Sequence, residues 1–282
     1  MLMLNLKHYI HLMRLNKPIG ILLLLWPTLW ALWLAGEGHP DPTILAIFLL
    51  GVVIMRSAGC ICNDLADRHI DGNVTRTVER PLPQGHVSLK GALTLTLFLL
   101  LLAFGLVLMC NQLTIGLAFI GVGMAILYPF MKRITDLPQV GLGAAFSWGV
   151  PMAFAAETGM IPTSAWILFF TAMIWPVIYD TMYAMVDRED DKKIGVKSTA
   201  ILFNQYDTLI IGLLQCCFIV LLIMVGFTFQ LSTAYFISLF FVSGLFLYQQ
   251  WLIKDRDASN CYRAFSNNQW VGLVIFIGIL LK

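Results

Sequence analysis

The chain alternates long runs that contain no Asp, Glu, Lys or Arg with short polar connections. Runs over residues 18–36, 137–156 and 158–179 each approach or exceed the ~20 residues that cross a bilayer as helix. Runs over 91–131 and 208–253 are about twice that length, so each is expected to hold two helices, divided at Asn111-Gln112 and around residues 227–232. The pattern predicts about nine transmembrane helices, over 18–35, 43–62, 90–109, 113–128, 138–156, 163–186, 209–226, 233–251 and 265–281. Residues 1–282 are read as one all-α, polytopic intramembrane domain. Composition agrees: 59% hydrophobic residues, 12% charged residues and a mean hydropathy of +0.81 leave too little polar surface to solvate a soluble globule.

Charge places the expected helices relative to the membrane. The segment before the first span carries Lys7, Arg14 and Lys17. The connections after the second, fourth, sixth and eighth spans are also basic, while those after the first, third, fifth and seventh hold no Lys or Arg. Alternation of this kind predicts a cytoplasmic N-terminus and a periplasmic C-terminus in a bacterial inner membrane. It also puts both long connections, 63–89 and 187–208, on the cytoplasmic side, where a charged substrate would be handled. The first apolar run contains Pro27 and three Trp and reads as a retained span, not a cleaved leader. A net charge of +2 gives no reason to expect nucleic acid, and six cysteines without CxxC spacing predict free thiols.

Two acidic motifs carry the candidate chemistry. In the first, Asn63, Asp67 and Asp71 fall at i, i+4 and i+8 of a continued helix, with Asp64 beside them. Carboxylates stacked on one face repel unless cations lie between them. In the second, Asp180, Asp187 and Asp191 are spaced seven and four and share one face of a helix leaving the sixth span. Hard oxygen donors at this density suit Mg²⁺, which bridges carboxylates to substrate phosphates. Arg56 lies seven residues before Asn63 and inside the membrane, where an ionisable group is a functional candidate by default. Arg56, Arg76, Lys132, Arg133 and Lys193 are candidates to neutralise a diphosphate. Asp180 lies deeper than its partners, between Tyr179 and Tyr183, as a carboxylate that orients or deprotonates an acceptor hydroxyl would. The five histidines show no ligand spacing, and Cys60 and Cys62 read as packing residues.

With both motifs placed, the chain resembles the UbiA-type intramembrane prenyltransferases. The family's NDxxDxxxD falls on Asn63, Asp64, Asp67 and Asp71, and its DxxxD on Asp187 and Asp191. Segments such as Arg80-Pro81-Leu82-Pro83 and Tyr128-Pro129-Phe130-Met131-Lys132-Arg133 resemble the branch that acts on 4-hydroxybenzoate in ubiquinone biosynthesis. The resemblance implies an enzyme with Mg²⁺ as cofactor, a polyprenyl diphosphate donor met in membrane lipid, and transfer to the ring carbon ortho to the hydroxyl of 4-hydroxybenzoate. It further implies that Asp187 or Asp191 helps activate the phenol, and that Arg14, Lys17 or Arg133 pairs with the acceptor carboxylate. Two rivals are disfavoured. A CDP-alcohol phosphotransferase would continue Asp71-Gly72 into a single longer block. A cation transporter would place its ionisable groups near the midplane.

Overall fold

The computed structural model describes residues 2–68 and 79–282. Among them every regular element is helical. The helices are α1 (Leu2–Leu12), α2 (Ile19–Ala35), α3 (Pro42–Asp67), α4 (Leu89–Val107), α5 (Gln112–Ile134), α6 (Pro138–Ser147), α7 (Gly149–Thr158), α8 (Thr163–Ile194), α9 (Thr199–Phe203), α10 (Asp207–Thr228), α11 (Thr233–Ile253) and α12 (Ala258–Leu280), with a 3₁₀ turn over Asn204–Tyr206. Each predicted apolar stretch lies on helix, and six helices are long and apolar enough to cross a bilayer. Phe240 and Leu247 are 78% and 73% exposed and project outward with many other large apolar side chains. This is the surface of a polytopic membrane protein, whose outer wall faces lipid.

Local chemistry sets the helix ends. At the start of α3 the Asp41 side chain accepts hydrogen bonds from the backbone N–H groups of Thr43 (2.7 Å) and Ile44 (3.1 Å), with Pro42 at the first helical position. Those bonds, Ile44 first, hold the Asp41 carboxyl below the usual carboxylate range. α8 ends at Gly195, whose φ of 71° is left-handed and costs glycine little. At 32 residues α8 is about 48 Å long, well beyond a hydrocarbon core of about 30 Å. Its acidic end therefore reaches out of the membrane. One expectation is modified: residues 138–156 form two helices, α6 and α7, broken at Trp148. Pro151 has no N–H for the Ser147 carbonyl, and the Trp148 indole turns to donate to the Leu117 carbonyl on α5 (2.8 Å).

α8 lies at the centre, packed against α6, α10 and α12, and α12 in turn packs on α2. Trp175 of α8 and Trp30 of α2 meet with ring centroids 5.3 Å apart. Both are anchored on α12: Trp175 Nε1 donates to Asn268 Oδ1 (3.0 Å) and Trp30 Nε1 to the Gly272 carbonyl (3.1 Å). A Cβ on Gly272 would meet Trp26 and come within 2.7 Å of Trp175, so only glycine permits this approach.

The C-terminal end of α8 is fixed by a buried ion cluster. Asp207, at the start of α10, is fully buried and pairs with Arg188 of α8 and with Arg256 after α11 (2.8 Å). Arg256 also donates to the Gln205 carbonyl (2.8 Å) and adopts a left-handed φ of 58° to reach both. Removing one partner of a buried pair leaves an uncompensated charge. Asp207→Ala is expected to lose about 3–5 kcal/mol of stability, whereas Asp255→Ala, which removes an exposed partner of Lys254, changes it by less than about 0.5 kcal/mol. Thermal unfolding of the two variants in one detergent makes the comparison; equal losses would refute the triad's role.

Candidate active site

α3 and α8 end on the same side of the molecule and bring the two acidic motifs to one place. Asp64 and Asp67, in the last turn of α3, are each 1% exposed, and three segments of the chain send cations to them. Arg14, in a left-handed turn (φ 57°) just after α1, donates through Nη2 to Asp64 Oδ1 (2.8 Å) and Oδ2 (3.0 Å). Arg80 adds a 3.1 Å bond to Asp64 Oδ1. From the last turn of α5, Lys132 Nζ is in contact with Asp67 Oδ2, and Arg133 donates to the Ala66 carbonyl (2.5 Å). Cations there also complement the negative end of the α3 dipole. Asp67 Oδ1 is buried without a hydrogen-bond partner, with only Arg133 Nη2 at 3.9 Å.

Asn63, Asp67, Lys132, Asp180, Asp187 and Asp191 line one small cavity of about 170 Å³, together with Gln139 and Lys197. Beside it lies a larger cavity of about 1050 Å³. Asn63, Arg80, Tyr128, Asp180 and Tyr183 border both. The large cavity has a charged mouth at Arg14, Lys17 and Asp64, and an apolar remainder walled by residues such as Phe48, Phe104, Phe119 and Met152. Arg56 sits in that cavity, packed on Gly20 and with its guanidinium carbon 5.6 Å from the centre of the Phe146 ring. Its Nε is buried with no hydrogen-bond partner, and no ion pair forms to Arg56 among the described residues. The Tyr179 hydroxyl, lining the same cavity, is likewise buried and unpartnered.

The sequence-based candidates thus sort by position. Asn63, Asp64, Asp67, Asp180, Asp187, Asp191, Arg56, Arg14, Lys17 and Lys132 line one or both cavities. Arg133 stands behind Asp67 and stacks on Phe130 (5.5 Å). Lys193 lies elsewhere: it is exposed and pairs with Asp190 (3.1 Å). Asp71 and Arg76 fall outside the described residues. Among the described residues no three carboxylate, imidazole or thiol groups converge tightly enough to hold a metal. The donor set nevertheless fits a hard divalent cation, being all oxygen and including the orphaned Asp67 Oδ1. Sequence reading missed Gln139, a buried amide in the first turn of α6. Its signal was a polar residue early in an otherwise apolar run.

The model of the UbiA prenyltransferase family matches residues 24–277 of this chain. The chain belongs to that family. It is 54% identical over 283 residues to the 4-hydroxybenzoate octaprenyltransferase of Coxiella burnetii, covering 99% of each chain. It is 56% identical over 274 residues to the enzyme of that name from Serratia proteamaculans, covering 97% of this chain and 94% of that one. Among solved structures, a UbiA homolog from Aeropyrum pernix in the apo state superposes with a TM-score of 0.81 at 22% identity (93% and 97% of the two chains). A UbiA homolog from Archaeoglobus fulgidus bound to GPP and Mg²⁺ does so with a TM-score of 0.70 at 17% identity (95% and 99%). At these identities the structural likeness establishes the UbiA fold alone.

Proposed function

We propose that this UbiA-family protein transfers a polyprenyl chain from polyprenyl diphosphate to the ring carbon ortho to the hydroxyl of 4-hydroxybenzoate, releasing diphosphate. The observation that carries the reading is the pairing of a carboxylate-lined polar cavity with a long apolar one that holds an unpaired guanidinium. The relatives at 54–56% identity bear the name of this activity, with eight isoprenoid units in the donor.

Asn63, Asp64, Asp67, Asp71, Asp187 and Asp191 would hold Mg²⁺, which when bound draws charge from the departing diphosphate. Lys132 and Arg80 line the same cavity, with Arg133 behind Asp67, and would balance the remaining negative charge. The donor's C–O bond breaks as diphosphate leaves, and the resulting allylic cation sits among apolar walls that exclude water. The ring carbon attacks it, and a carboxylate removes the ring proton; Asp180 borders both cavities and is assigned that role, with Asp187 or Asp191 acting on the phenol. Arg56, whose Nε is buried and which has no carboxylate partner among the described residues, would take the acceptor's carboxylate, and Tyr179 a second polar contact. Arg14, expected from the sequence to bind the acceptor, already holds Asp64.

Nine spans with a cytoplasmic N-terminus, a periplasmic C-terminus and a site facing the cytoplasm of a bacterial inner membrane complete the proposal. It is supported by the helical coverage of all nine apolar stretches and by the alternation of basic connections. Alkaline phosphatase fused after Lys282 is expected to be active and after Gly195 inactive; the reverse pattern would invert the topology.

The activity itself is tested with labelled 4-hydroxybenzoate and octaprenyl diphosphate in bilayers carrying the protein. Labelled lipid is expected with Mg²⁺, none with a chelator, and a loss of at least 100-fold in Asp67→Asn and Asp187→Asn. Full turnover in both variants would sink the metal assignment, and labelling without divalent cation would sink the chemistry. In the same assay Arg56→Gln is expected to raise the acceptor KM about 10- to 100-fold, as for a lost charged hydrogen bond. The donor KM should barely move; an unchanged acceptor KM would release Arg56 from this role.

A further inference from the structure

Gln139 is 5% exposed and spans three segments of the chain. Its Oε1 accepts from the backbone N–H of Thr199 (3.0 Å), and its Nε2 donates to Asp180 Oδ2 (3.2 Å). The Thr199 N–H belongs to the first turn of α9, one of the donors a helix cannot satisfy internally. A backbone N–H only donates, so it dictates which end of the Gln139 amide is oxygen. The NH₂ end is thereby committed to Asp180.

Thr199 is itself immobilised. Thr181, one turn-step along α8 from Asp180, spends its hydroxyl proton on the Val177 carbonyl (2.5 Å) and so accepts from the Thr199 hydroxyl (2.6 Å). Below it, the Lys197 N–H donates to the Lys132 carbonyl (3.0 Å), tying the same strand of chain to the end of α5. α6 is pressed onto α8 with Gly143 against the Met173 carbonyl, which leaves the start of α6 no room to shift. Gln139 is thus a fixed donor, held at its far end by backbone, aimed at the one carboxylate among the described residues that faces both cavities.

We propose that Gln139 is a positioning residue for Asp180: through its bond to Oδ2 it fixes the carboxylate's orientation at the junction of the polar and apolar cavities. The inference rests on the role assigned to Asp180 in prenyl transfer. A carboxylate free to rotate about its Cβ–Cγ bond would spend much of its time off the trajectory to the ring proton, and misplacement by about 1 Å is enough to cost orders of magnitude in rate.

The test measures kcat and both KM values for wild type, Gln139→Met, Gln139→Glu, Asp180→Asn and the Gln139→Glu/Asp180→Asn double variant, each with its melting temperature. Gln139→Met removes the donor to Asp180 without adding charge; Gln139→Glu keeps an acceptor for the Thr199 N–H but sets a second carboxyl against Asp180, and the two share a proton. Gln139→Met is expected to lower kcat at least tenfold with the donor KM within twofold, and Gln139→Glu to lower it no further once Asp180 is Asn. A folded Gln139→Met protein that turns over as wild type overturns the inference, as does a Gln139→Glu loss equally large in the Asp180→Asn background. Wild-type turnover by Asp180→Asn overturns instead the role of Asp180, and with it this one. Wild-type protein that transfers no prenyl group overturns the enzymatic reading.

Discussion

Charge compensation of buried carboxylates at the membrane edge governs the site. Asp64 and Asp67 leave almost no surface to solvent, and an isolated carboxylate removed from water costs many kcal/mol. The chain answers by drawing Arg14, Arg80 and Lys132 from three separate segments onto the end of α3. Those contacts join the N-terminal arm, the 79–88 connection and the end of α5 at α3, beside the apolar packing of Leu12 and Val87 on Ile61. The same rule holds on the far side of α8, where Arg188 and Arg256 close on Asp207. Between these two clusters the acidic end of α8 is held from both sides, and the second motif faces the first.

Helix direction reinforces the need for cations. α3 and α8 both present their C-terminal ends to the small cavity, so unsatisfied carbonyls add negative charge to the carboxylates already there. Basic side chains neutralise part of that field, and a divalent cation bridging the motifs would neutralise more without introducing a bulky group. A diphosphate could approach only where such positive charge is concentrated. The electrostatics therefore explain why a lipid-soluble donor would be gripped at its head at the membrane edge, with its tail left in the apolar cavity.

Much of this was legible in the sequence, for a physical reason. A membrane forces every spanning segment to be a helix and nearly free of charge, so apolar runs located all the helices from α2 onward except short α9. The spacing of Asn63, Asp64 and Asp67, and of Asp180, Asp187 and Asp191, located the carboxylates because helical periodicity is local. What stayed hidden was long-range. Arg14 meets Asp64 across 50 residues and Gln139 meets Thr199 across 60. Position within a span marked Arg56 as a candidate, but nothing local showed that Arg14 seals a carboxylate while Arg56 forms no ion pair among the described residues. The α1 arm, too, gave no apolar run long enough to span, and the α6–α7 break depended on Trp148 finding the Leu117 carbonyl on another helix.

The contrast between Arg14 and Arg56 separates structure from chemistry in this site. Both are arginines near acidic residues, and by charge alone either could receive an anionic acceptor. Arg14 lies at the mouth and satisfies Asp64 through two hydrogen bonds, so withdrawing it would remove one of the two arginines that compensate a buried carboxylate. Arg56 lies deeper, beside Gly20 and the Phe146 ring, and its buried Nε has no partner at all. Holding a guanidinium there costs the fold stability that the Phe146 ring offsets only in part, and an anion entering the cavity would offset the rest. A carboxylate bound to Arg56 would keep the acceptor ring within the apolar walls and near Asp180, below the cavity where a diphosphate would sit. In the proposed reaction this cation, without an ion pair among the described residues, would mark the acceptor's place, and the paired carboxylates at the cavity's edge the donor's.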